Sequence, residues 1–166
     1  MLKARQMIPP VTARVADGRV VQAWDYKQKR SLLVAFLHKE CGECEEFFSR
    51  LRREAARLAE LEATALVVLP QPAPVRMGEG LPPQVVLAAD VSGRSQRAYL
   101  GKDACDTRPH MRTGGVGVFV ADRYGELVAQ WCGGHESLPG MPDALGWLHQ
   151  VQIACEECGS PHWPVE

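Results

Sequence analysis

Residues 31–38 read SLLVAFLH, a short and almost continuously apolar run, and Cys41-Gly42-Glu43-Cys44 follows it at the head of a segment with helical periodicity. This junction constrains the fold more than any other feature. A short run without polar alternation suits a strand covered on both faces, as in α/β sheets. From Cys44 the apolar positions fall at Phe48, Leu51, Ala55 and Leu58, steps that keep one helical face toward a core. The spacing predicts a helix over residues 42–62. Arg50, Arg52, Arg53, Glu54, Arg57 and Glu60 occupy its other faces, as a solvated surface with exchanging ion pairs.

The rest of the chain supplies the partners such a strand needs. Residues 11–24 hold two partly alternating runs around Asp17-Gly18, a dipeptide suited to the positive φ angles of a tight turn, and predict a β-hairpin. Residues 65–69 (ALVVL) and 84–88 (QVVLA) are two further buried strands, separated by a Pro- and Gly-rich loop. A weak helix is expected over 94–100 and irregular chain over 101–115. Residues 116–121 and 127–131 form an antiparallel pair about the turn Asp122-Arg123-Tyr124-Gly125-Glu126. Pro139 and Pro142 introduce a last helix, residues 143–153, with Leu145, Leu148 and Ile153 toward the core and Trp147 close by. The expected division is one α/β domain, residues 1–153, and a cysteine-containing tail, residues 154–166.

The first cysteine pair carries the chemistry. A helix N-terminus stabilises a thiolate with its free N–H groups and partial positive charge, and Cys41 occupies that position. Cys44 lies on the helical face shared by Phe48 and Leu51, where it is more buried and placed to attack a mixed disulfide formed at Cys41. Cys41 is thus the nucleophile and Cys44 the resolving thiol. Glu40, Glu43, Glu45 and Glu46 surround the pair and oppose the helix end by repelling a thiolate, while His38 and Lys39 offset part of that effect.

The segment FLHKECGEC resembles a thioredoxin-fold active site, with Phe36 ending the strand five residues before the first cysteine. VFVADRYGELVAQW is similar to the late hairpin of redoxin-type proteins, and the opening hairpin followed by Trp24-Asp25-Tyr26 is similar to the start of the AhpC/TSA-like branch. The resemblance covers roughly residues 10–153. It implies a mixed central β-sheet flanked by helices, with dithiol–disulfide exchange or, in the peroxiredoxin branch, peroxide reduction as the activity. Thioredoxins place a cis-proline just before the late strand; the corresponding residue here is Val116 or Gly117, which makes Val116 a candidate tuning position together with Glu40 and Glu43. No cysteine stands in the Pro-x-x-x-Thr/Ser-x-x-Cys signature of peroxiredoxins.

A second pair, Cys155-Glu156-Glu157-Cys158, follows the last helix with no helix after it, so the dipole argument does not apply there. It reads as a second dithiol that relays electrons to Cys41–Cys44, as a zinc knuckle completed by Cys132 and His135 with His162 as a substitute ligand, or as structural or idle thiols. Cys105 reads as a partly buried free thiol, and His38, His110 and His149 as core or surface histidines. A net charge of −1 without basic or acidic blocks points to neither nucleic acid nor a membrane surface as partner. The start, MLKARQMIPPVTARV, lacks the apolar core of a signal peptide, so a cytoplasmic location is expected, where six cysteines suit catalysis or metal binding rather than a disulfide framework. The expected activity is thiol–disulfide exchange with a protein or small-molecule thiol or disulfide, through a redox-active disulfide, with no cofactor required and no metal expected at Cys41 and Cys44. The rival expectation is a non-catalytic binding module of the same fold, with zinc at the C-terminal cysteines.

Overall fold

The computed structural model describes residues 2–101 and 115–154. The first hairpin forms as expected: β1 (Thr12–Val15) and β2 (Val20–Gln22) turn at Gly18, whose φ of +88° a side chain would resist. The apolar run is β3 (Ser31–Phe36), buried at every position. Helical periodicity yields α1 (Gly42–Arg53) and α2 (Ala55–Glu60), which meet at Glu54 (φ −88°, ψ 12°), so the helix expected as one piece runs as two. Exposed ion pairs Glu46–Arg50 and Arg57–Glu60 lie on their outer faces, as solvated charges should.

Strand β4 (Ala63–Leu69) is parallel to β3, and β5 (Val85–Ala89) is parallel to β4. Between them the Pro- and Gly-rich loop contains a single turn of helix, α3 (Val75–Gly78), and after β5 comes α4 (Arg94–Leu100). Asp90 is buried at the start of α4, where its carboxylate accepts from the Ser95 N–H at 2.7 Å, the Gln96 N–H at 3.3 Å and the Ser92 hydroxyl at 2.6 Å. A short helix is held there by one side chain that satisfies its free donors.

Strands β6 (Val116–Ala121) and β7 (Leu127–Gly133) pair antiparallel, and β6 adds antiparallel to β3. The result is one seven-stranded mixed sheet in the order β2-β1-β5-β4-β3-β6-β7. Gly117 pairs with Phe36 on one side and Cys132 on the other, and a β-carbon there would stand 2.6 Å from Leu100 Cδ2 and 2.8 Å from Phe119 Cε2. Glycine is the residue that admits this close approach.

Alternation along the strands sends side chains to two cores. On one face Leu33, Ala35, Val67, Val118 and Val120 pack with Phe48 and Leu51 of α1, Leu58 of α2 and Leu148 of α5 (Met141–Ile153). On the other, Leu32, Val34 and Phe36 pack with the hairpin and with Tyr99 of α4. Phe36, Tyr99 and Phe119 form an aromatic cluster there, with centroids 4.9–6.1 Å apart, and the Tyr99 hydroxyl donates to Pro9 O at 2.8 Å. The sheet is thus the middle of three layers.

The last helix begins earlier than expected, and its buried stripe is Met141, Ala144 and Leu148. Leu145 is half-buried against the same core, whereas Ile153 is 60% exposed. Ile153 was expected inside, but five residues beyond Leu148 it has rotated about 140° off the inward line. Among the described residues no helix is long and apolar enough to cross a membrane.

Candidate functional site

The site forms where β3 hands the chain to α1. Phe36 and Leu37 anchor the strand end in opposite cores, and Cys41 follows as the N-cap of α1 in extended conformation (φ −138°, ψ 117°). Its sulfur performs the capping, accepting the Cys44 N–H at 3.2 Å, while its carbonyl accepts the Glu45 N–H at 2.9 Å. The dipole argument made from the sequence therefore has a specific donor behind it. The Cys41 thiol lies 3.5 Å from Glu43 Oε2, and Glu43 is held below the usual carboxylate range by its own backbone N–H first and then by this thiol.

The third member of the site comes from the far side of the sheet order. Strand β7 runs through Cys132 to Gly133, and the chain turns through Gly134 into a short 3-10 turn, His135–Ser137. Gly133 has a φ of +155°, and a β-carbon on it would stand 2.5 Å from Ser137 Oγ, so the turn requires glycine. It delivers His135 Nδ1 to 2.8 Å from Cys41 Sγ and 3.6 Å from Cys44 Sγ. One imidazole nitrogen thus reaches both sulfurs. His38 stacks edge-on against His135, with ring centroids 5.9 Å apart.

The two thiols differ as the spacing implied. Cys44 is 1% exposed and packs in the core below α1, while Cys41 is 7% exposed at the rim. Burial, joined by the hydrogen bond with Cys41, pushes the Cys44 thiol up to about 12, against a smaller opposing effect of the His38 backbone N–H, which bonds to its sulfur. Cys44 therefore stays a thiol at neutral pH until something takes its proton. The two sulfurs and the His135 ring lie within 4.8 Å of one another, so this set of donors could hold a metal ion.

The remaining sequence candidates fall differently. Val116 is fully buried at the start of β6, in the core that contains both cysteines, and no cis peptide bond occurs among the described residues. Glu40 is exposed beside Cys41. Cys132 packs with the core on the face of the sheet opposite to Cys41 and Cys44, whereas His135, its expected co-ligand, contacts both of those sulfurs. Cys105, His110, Cys155, Cys158 and His162 lie outside the described residues. The sequence places His135 with the tail cysteines; the signal for its real neighbours was a Gly-Gly pair at the end of β7, one strand removed from β3 across β6.

No family model and no curated sequence matches the chain. Solved structures do. A protein assigned as thiol:disulfide interchange protein DsbE from Chlorobium tepidum is 19% identical, with a TM-score of 0.62, over 92% of this chain and 96% of the other. The reduced 2-Cys peroxiredoxin of Plasmodium vivax is 12% identical, with a TM-score of 0.70, over 90% and 81%. A peroxiredoxin-like protein from Aquifex aeolicus is 13% identical, with a TM-score of 0.73, over 90% and 88%. The fold is thioredoxin-like, a mixed sheet flanked by helices with an N-terminal β-hairpin.

Proposed function

We propose that this thioredoxin-like chain is a thiol–disulfide oxidoreductase in which Cys41 attacks, Cys44 resolves and His135 moves the protons. The carrying observation is the placement of one imidazole nitrogen 2.8 Å from the N-cap sulfur and 3.6 Å from the buried one. His135 accepts the Cys41 proton, and the resulting thiolate is held by the Cys44 N–H and the helix end. The thiolate attacks a substrate disulfide, forming a mixed disulfide and releasing one substrate thiolate, which takes the proton back from His135 and leaves the imidazole free to act again.

Resolution then needs the buried thiol. With Cys41 bound to substrate, His135 takes the proton of Cys44, whose sulfur attacks Cys41 and expels the second substrate thiolate. Two electrons pass from the Cys41–Cys44 dithiol to the substrate, and the protein is left as its disulfide. A thiol donor, protein or small molecule, reverses these steps to restore the dithiol; a cytoplasmic location and a relay through Cys155–Cys158 belong to this same proposal. Reduction of a model disulfide followed by absorbance provides the test. Cys41→Ser should abolish turnover, and Cys44→Ser should trap a mixed disulfide at Cys41 detectable by mass. Full turnover by Cys41→Ser would remove the reading, and the same assay with hydrogen peroxide as oxidant separates exchange from peroxide reduction.

A further inference from the structure

We infer that Cys41, Cys44 and His135 form a zinc(II) site. Two thiolates and one imidazole are a recurrent zinc donor set, and three protein ligands with an open fourth position is the arrangement of reactive zinc sites. Zinc–sulfur and zinc–nitrogen bonds of about 2.3 and 2.0–2.1 Å at a tetrahedral angle separate S and N by roughly 3.6 Å. The Cys44 Sγ to His135 Nδ1 distance is 3.6 Å. Cys41 Sγ stands at 2.8 Å from the same nitrogen, in direct polar contact, and metal entry opens that gap by rotation of an imidazole that is only half-buried.

Surrounding groups match a thiolate metal site. The Cys44 N–H donates to the Cys41 sulfur and the His38 N–H to the Cys44 sulfur, so each ligand sulfur has its own backbone donor. Charge selects the cation. Two thiolates at the edge of an apolar core are cancelled by a divalent ion, whereas copper(I) would leave a net negative charge beside the Glu43 carboxylate. Glu43 is exposed and adjacent to Cys41, within reach of the fourth position as a ligand or as acceptor for a bound water.

Zinc and disulfide then compete for the same sulfurs, a consequence that rests on the exchange activity proposed above. A disulfide RSSR takes two electrons from the zinc-bound dithiolate, giving the Cys41–Cys44 disulfide, two RS⁻ and free Zn²⁺, so occupancy would restrain exchange and oxidation would release metal.

The test uses the full chain, prepared anaerobically, and its Cys155→Ser/Cys158→Ser variant, titrated with zinc(II) against a chromophoric chelator. One zinc per chain is expected in both, with binding lost in Cys44→Ser. In His135→Ala the affinity should fall more than about 100-fold, beyond the 10–100-fold that loss of an outer hydrogen-bond partner gives. Cobalt(II) in the tail variant reads the donor set without touching a ligand, and should show thiolate charge-transfer bands with a tetrahedral ligand-field spectrum. Zinc retained in Cys44→Ser, zinc lost with the tail substitutions, binding of copper(I) but not zinc(II), or an octahedral cobalt spectrum would each overturn the site. Bound zinc that glutathione disulfide fails to release counts against exchange alone; intact exchange with no zinc binding counts against the metal site alone.

Discussion

Cys41 and Cys44 sit three positions apart, yet one caps a helix at the rim and the other is sealed in the core. At limiting iodoacetamide near neutral pH, with a chelator present, Cys41 should be labelled before Cys44, as peptide mapping would show. His135→Ala should slow that labelling on the order of tenfold to a hundredfold, because the proton acceptor is gone. Glu43→Gln should accelerate it, since the carboxylate both accepts from the thiol and repels the thiolate; an unchanged rate would mean that Glu43 turns to solvent when Cys41 ionises. The relative burial of the two cysteines was legible because three residues on a helix carry the chain from its rim to its inner face. The imidazole was not, because its partnership with Cys41 spans 94 positions and depends on how β7 ends, which local spacing does not encode.

Among the elements, strands announced themselves better than helix ends. The residues of β3, β4 and β6 are buried throughout, and such runs have few alternative conformations in an α/β chain. The break at Glu54 was not readable, because it depends on where the helix meets the sheet beneath it, whereas the exposure of Ile153 was already present in its five-residue step beyond Leu148. Asp90 also escaped notice, being one polar residue at a strand end in a sequence with many. Its three accepted hydrogen bonds hold α4 against β5, so Asp90→Ala should lower the unfolding free energy by about 1–3 kcal/mol. Urea denaturation measures this. Cys41 labelling in the folded variant should not change, since α4 packs on the opposite face of the sheet from the cysteine pair.

Over the whole molecule, the buried Cys44 thiol couples proton binding to stability. In the unfolded chain Cys44 ionises near its ordinary value of 9.0, whereas in the folded protein burial holds the thiol up to about 12. Between those values the native state keeps a proton that the unfolded state has lost, so stability is fully present below about pH 9 and declines as pH rises. Burial also raises Tyr26 and Tyr99 above their ordinary 10.0, which adds to the decline at higher pH. The urea midpoint of the reduced protein should therefore start to fall above pH 9, and in Cys44→Ala the fall should begin later. Identical profiles would show that Cys44 opens to solvent before it ionises.

The 94 residues between Cys41 and His135 also have a meaning in time. Translation at about 5–20 residues per second separates the two by roughly 5–20 s. In that interval a growing chain carries both sulfurs without the imidazole that takes their protons, because β7 and its glycine turn have not been made. On the mechanism proposed above, the thiols are then slow to engage the disulfides around them and acquire their reactivity when β7 docks. Ribosome-bound chains halted before His135 should label slowly at Cys41, and chains long enough to close the sheet should label at the mature rate, so that completion of the fold itself arms the pair.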